Sequence, residues 1–112
     1  MSVAIKNLSI EAGTTYRRTL RFYTDAARTQ PLDLTGCTFT SWMQRNETVI
    51  VFAITVAGDP TTGSAEMGLE PEQTKDEELG NYLWDMLMIG PDGTVMKAMK
   101  GVVMLQKTVT KI

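Results

Sequence analysis

The sequence contains no histidine. Its absence removes the side chain that titrates nearest neutral pH, the usual base beside a nucleophilic serine or cysteine, and the commonest nitrogen ligand for zinc. The single cysteine, Cys37, has no partner for an internal disulfide, and the alternating apolar run around it marks a small buried hydrophobe rather than a nucleophile. No apolar run reaches the roughly 18 residues that span a bilayer. The opening Met1-Ser2-Val3-Ala4-Ile5-Lys6 lacks the basic, then long apolar pattern of a secretory signal, so the expectation is a protein made in the cytoplasm without a membrane partner. An excess of one charge is missing too: 11 Lys and Arg against 13 Asp and Glu leave a formal net charge of -2, which gives no global field to draw in nucleic acid. No Gly-rich run ends in Gly-Lys-Ser or Gly-Lys-Thr, and no stretch has the spaced oxygen ligands of a calcium loop. The expectation is a protein that is not an enzyme, with no catalytic residue, metal ligand, cofactor or small-molecule substrate.

What is present is a pattern of short strands. A chain of 112 residues with 43% hydrophobic and 21% charged residues suits one globular domain, residues 1–112. Gly, Pro, Asp and Asn punctuate segments rich in Val, Ile, Thr, Phe, Tyr and Trp, which fit a pleated surface. Strands are expected over residues 4–10, 16–23, 37–44, 49–56 and 64–69. Tyr16, Leu20 and Phe22 share one face of the second, and Arg17, Thr19 and Arg21 the other. The stretch 49–56 is apolar on both faces, as in a strand near the middle of a sandwich or under a partner. The acidic segment 70–79 accommodates one helical turn, since Pro71 is tolerated early in a helix and carboxylates favour its N-terminus. Residues 81–89 and 94–99 flank Gly90-Pro91-Asp92-Gly93 as a hairpin, and Gly101 reads as a bend before a last strand, 102–110. About seven strands without long helices predict an all-β fold, a single antiparallel β-sandwich of jelly-roll or immunoglobulin-like type.

Four side chains are candidates for a partner interface: Arg17, Arg18, Arg21 and Trp42. The arginines are the main basic concentration, with Arg28 a loop away, and guanidinium groups suit bidentate carboxylate pairing with an acidic surface. The alternative is an edge strand that carries charge to avoid mispairing. Trp42 falls opposite Phe39 and Met43 and is the better candidate for exposure, whereas Trp84, inside Tyr82-Leu83-Trp84-Asp85-Met86, is expected in the core. The eight methionines read chiefly as core filler, with an adaptable interface as the other use. Glu66, Glu70, Glu72, Asp76, Glu77 and Glu78 read as a solvated acidic stretch rather than an acid/base pair.

The order Pro31-Leu32-Asp33-Leu34-Thr35-Gly36, Leu79-Gly80-Asn81-Tyr82-Leu83-Trp84-Asp85, Pro91-Asp92-Gly93 and Lys100-Gly101-Val102-Val103 resembles small β-sandwich proteins of tailed-phage particles, including N-terminal domains of baseplate proteins. It spans roughly residues 10–110 and rests on turns and strand edges. Within that group the length is most similar to capsid staple or cement (decoration) proteins of short-tailed phages of the Salmonella epsilon group. The resemblance implies a structural role on the capsid exterior of the virion, as a homodimer that clips neighbouring copies of the major capsid protein. It supplies no catalytic residues. A tail or baseplate component, or a host-glycan-binding module stacking sugars on Trp42, Tyr16 and Tyr23, is the other reading. The ends, Ser2 to Ile10 and Thr108 to Ile112, either reach onto a neighbour's sheet or pair within the domain.

Overall fold

The computed structural model describes residues 3–110 and is all-β. Its strands are β1 (Ala4–Ile5), β2 (Leu8–Glu11), β3 (Tyr16–Arg21), β4 (Thr38–Arg45), β5 (Thr48–Val56), β6 (Ser64–Leu69), β7 (Gly80–Ile89) and β8 (Val95–Gln106). A helical turn, α1 (Pro71–Thr74), sits where the acidic segment predicted one, and a 3₁₀ turn (Pro60–Thr62) closes the connection between β5 and β6. The strands form one mixed sheet in the order β1-β8-β7-β4-β5-β6-β3, with β2 also beside β8, curled into a half-barrel. The two layers expected of a sandwich are thus the two ends of one sheet. Strand β5 makes the turn between them: its first half, Thr48 to Phe52, pairs with β4, and its second half, Ala53 to Val56, pairs with β6.

The core lies on the concave side, and strict alternation puts it there. Along β7, Tyr82, Trp84, Met86 and Met88 are buried; along β4, Ser41 and Met43; along β5, Ile50 and Phe52. Met43, Met67, Met86, Met88 and Met99 fill this core, whereas Met96 and Met104 are exposed. Phe52 anchors it, with Trp84 edge-on at 5.9 Å and Tyr16 at 6.5 Å. Cys37 is half-buried against the same cluster.

Two local expectations change. The first strand is broken at Lys6-Asn7 into β1 and β2, and both pieces run parallel to β8. Gly101 is not a bend: β8 continues through it, and the irregularity lies earlier in β8, where Ala98 is an extra residue opposite the Met86–Leu87 step of β7. The glycine serves a close approach, since a Cβ there would lie 1.9 Å from the Lys6 carbonyl oxygen. That same oxygen accepts from the Trp84 indole N–H at 2.8 Å, and the Asn7 side chain accepts from the Val102 amide at 3.1 Å. The break in the first strand is therefore stitched to β7 and β8 by side chains. Residues 4–11 pair within the domain; Ser2, Lys111 and Ile112 lie outside the described residues.

Candidate interaction surfaces

The convex face of β8-β7-β4-β5 carries the side chains that alternate with the core. Cross-strand register aligns Ile5, Lys100, Asp85, Trp42 and Val51 in one row across five strands. The neighbouring row is Val102, Leu83, Gln44 and Val49. Leu83 is 72% exposed, Ile5 70%, Trp42 52% and Val51 49%, so an apolar patch stands in solvent on a backbone held rigid by the core beneath it. A shallow trough of about 570 Å³ runs beside Trp42 and Leu83, bordered by Asn7, Gln44 and Lys100. Lys97 Nζ approaches Asp85 Oδ2 at 3.3 Å, which neutralises the one carboxylate in the patch.

The arginines occupy a different region, on β3, separated from β4 by β5 and β6 in the sheet. Trp42 and the three arginines therefore do not form one site. Nor do the three arginines form one group. Arg17 folds back over β6, where Gly68 leaves room: a Cβ there would sit 2.8 Å from the Arg17 guanidinium. The guanidinium donates to the carbonyls of Tyr16 and Leu69 at 2.8 and 3.0 Å and to the Glu70 carboxylate, with Glu66 at 3.7 Å. Arg18 and Arg21 instead border a cleft of about 500 Å³ between β3 and β1, together with Lys6 and Arg28.

The acidic stretch is tied into the fold rather than gathered into a site. Glu70 and Glu66 face Arg17, Glu78 pairs with Arg45 at 3.2 Å, and the Gln73 side chain accepts from the Glu70 amide at 2.8 Å at the start of α1. Among the described residues, no three Cys, Asp or Glu side chains converge as a metal-binding group. Thr74 is fully buried and its hydroxyl accepts from the Gly13 amide at 2.9 Å, which fastens α1 under the β2–β3 turn. Burial raises the Tyr82 hydroxyl above its ordinary pKa, with Glu77 and Glu78 adding to the shift, and the hydroxyl donates to the Glu78 carbonyl. The Asp25, Asp33 and Asp92 carboxylates are held below the usual range chiefly by hydrogen bonds from Thr29, Thr35 and Thr94 in their turns. These shifts belong to turn and core structure.

Sequence reasoning located Trp42 but missed its companions. Leu83 was legible, since a buried Trp84 in a strand sends its neighbour outward. Ile5 was not, because its place beside Lys100 depends on a parallel pairing across the whole chain. Tyr16 and Tyr23 do not join Trp42: Tyr16 packs toward Phe52, and Tyr23 borders the cleft. A comparison with models of known protein families finds no match, and no curated protein is significantly similar to the chain.

Proposed function

We propose that this chain is a non-enzymatic structural protein of a virus particle, a decoration or staple protein that binds the outer shell and clips neighbouring major capsid subunits together. The observation that carries the binding role is the exposed apolar face of Ile5, Trp42, Val51 and Leu83 on the convex side of the sheet. Large apolar side chains rimmed by polar ones mark association surfaces, and an aromatic near the centre is the usual anchor. The choice of a capsid as the partner rests on the resemblance carried by Pro31 to Gly36, Leu79 to Asp85 and Pro91 to Gly93.

Size argues for more than one contact. Four strands about 4.8 Å apart, each contributing about five residues at about 3.3 Å, cover on the order of 300 Å² in plan. A stable interface needs about 800 Å² per partner. Paired copies on the shell supply the difference, because a clip held at two points opens only when both contacts fail. A host-glycan-binding tail module is the second reading. It is favoured by the trough beside Trp42, whose polar border of Asn7, Gln44 and Lys100 suits a sugar stacked on the indole.

Quantitative mass spectrometry of purified particles separated into heads and tails tests the reading. Copy numbers near those of the major capsid protein in the head fraction are expected. A few copies confined to the tail fraction would reject the capsid role, and glycan binding lost on Trp42→Ala would establish the second reading.

A further inference from the structure

The half-barrel is open, and cations border its opening. Strand β3 ends the sheet on one side, with only β6 beside it, and β1 ends it on the other, with only β8. Both border the same cleft of about 500 Å³. The backbone of β3 is aimed into it. Phe22 donates to the Gly63 carbonyl at 2.7 Å, so Phe22 and, by alternation, Leu20 and Arg18 turn their amides toward β6. Thr19 and Arg21 then turn their N–H and C=O groups to the free edge. A free edge of this kind accepts an added strand from another chain.

Charge narrows what that strand is. Lys6, Arg18, Arg21 and Arg28 line the cleft, and none pairs with a carboxylate among the described residues. The one acidic side chain in the lining, Asp25, is already engaged, accepting from the Thr29 hydroxyl and from the Thr29 and Gln30 amides. Four cations around two unpaired strand edges leave a site whose complement is extended and negative.

We infer that this cleft binds an extended acidic segment of a partner protein, added as a strand on the free edge of β3 with its carboxylates against Arg18, Arg21, Lys6 and Arg28. The inference goes beyond the capsid reading and does not depend on it, since the cleft lies away from Trp42. Backbone pairing to Thr19 and Arg21 sets the direction and register of the segment, and the cations select its sequence.

The test is an NMR titration of the whole chain with four probes: an eight-residue Glu-Val peptide (Glu-Glu-Val-Val twice, so that carboxylates stand on both faces of a strand), its Lys-Val and Glu-Pro counterparts, and an oligothymidylate of similar charge. The Glu-Val peptide is expected to shift the resonances of residues 18–24 and 4–6 and to slow hydrogen exchange at the Thr19 and Arg21 amides at least tenfold. The Lys-Val peptide should not bind, and the Glu-Pro peptide, with half its amide donors removed, should bind at least tenfold more weakly. Charge reversal at two exposed positions, Arg18→Glu with Arg21→Glu, should abolish binding while Arg18→Lys with Arg21→Lys retains most of it; an unchanged thermal midpoint verifies the fold of each. Absence of Glu-Val binding, equal binding of the Glu-Pro peptide, or tighter binding of the oligonucleotide overturns the inference. Failure of the capsid reading would leave these peptide results untouched.

Discussion

The convex face around Trp42 and the cleft beside Arg18 are built on the same sheet, yet their construction differs. Apart from Ile5 on β1, the first lies over strands with a neighbour on each side and with Tyr82, Trp84, Met43 and Phe52 buried beneath. Its backbone groups are used in the sheet, so it offers area and little direction. The second is made by two edges, each with an unused row of backbone groups, and is lined by cations. It adds direction and charge to an apolar floor that includes Leu20, Phe22 and Met99. Association on the first should follow apolar burial, and on the second should follow salt and strand geometry.

The most disruptive way to break this comparison is at Gly101, where the two regions meet. A valine there would drive its Cβ into the Lys6 carbonyl, detaching β1 from β8 and removing both Ile5 from the patch and Lys6 from the cleft. A loss of about 3 kcal/mol is expected in chemical denaturation. An unchanged midpoint would mean that the β1 stitch contributes nothing. Next is Thr74→Val, which leaves the Gly13 amide without its acceptor under α1. It should cost about 1–3 kcal/mol, read by the same method.

Tyr82→Phe removes the hydroxyl bond to Glu78 and should cost about 1 kcal/mol at neutral pH. Its pH dependence carries a sign. Burial raises the folded pKa of Tyr82 above the ordinary value of 10.0, so the folded state resists ionisation that the unfolded chain accepts. The stabilisation is complete below about pH 10 and falls as pH rises from there toward the folded value. In Tyr82→Phe that alkaline loss should be smaller. An equal loss in both proteins would remove Tyr82 as its cause.

The smallest effect on stability, and the one that sharpens the comparison most, is Trp42→Ala. Half-exposed on the convex face, it should change stability by less than about 0.5 kcal/mol. On the proposed capsid role, binding to shells should nevertheless fall by a factor of ten or more, measured by co-sedimentation, and the loss should be nearly the same at about 0.05 and about 0.5 M salt.

How far the sequence could be read follows from the range of the contacts. The β7–β8 hairpin, the α1 turn and the burial of Trp84 rest on local periodicity and turn chemistry, and all were legible. The all-β class followed from the same signals. The parallel pairing of β1 and β2 with β8 was not, because nothing within residues 4–11 specifies a partner some ninety positions away. Gly101 shows the ambiguity in a single residue: glycine in a strand marks either a bend or a close approach, and only the position of Lys6 decides. Arg17 shows it in a pair. By alternation it belongs with Arg21, but the missing side chain of Gly68, its partner on β6, lets it fold inward to Leu69 and Glu70.

Oxidative footprinting of the protein free and bound to purified shells tests the central claim most directly. Docking through the convex face should protect Trp42 and Leu83 about fivefold or more on binding, while the buried Trp84 stays unreactive in both states. Equal oxidation of Trp42 in the free and bound protein would contradict it.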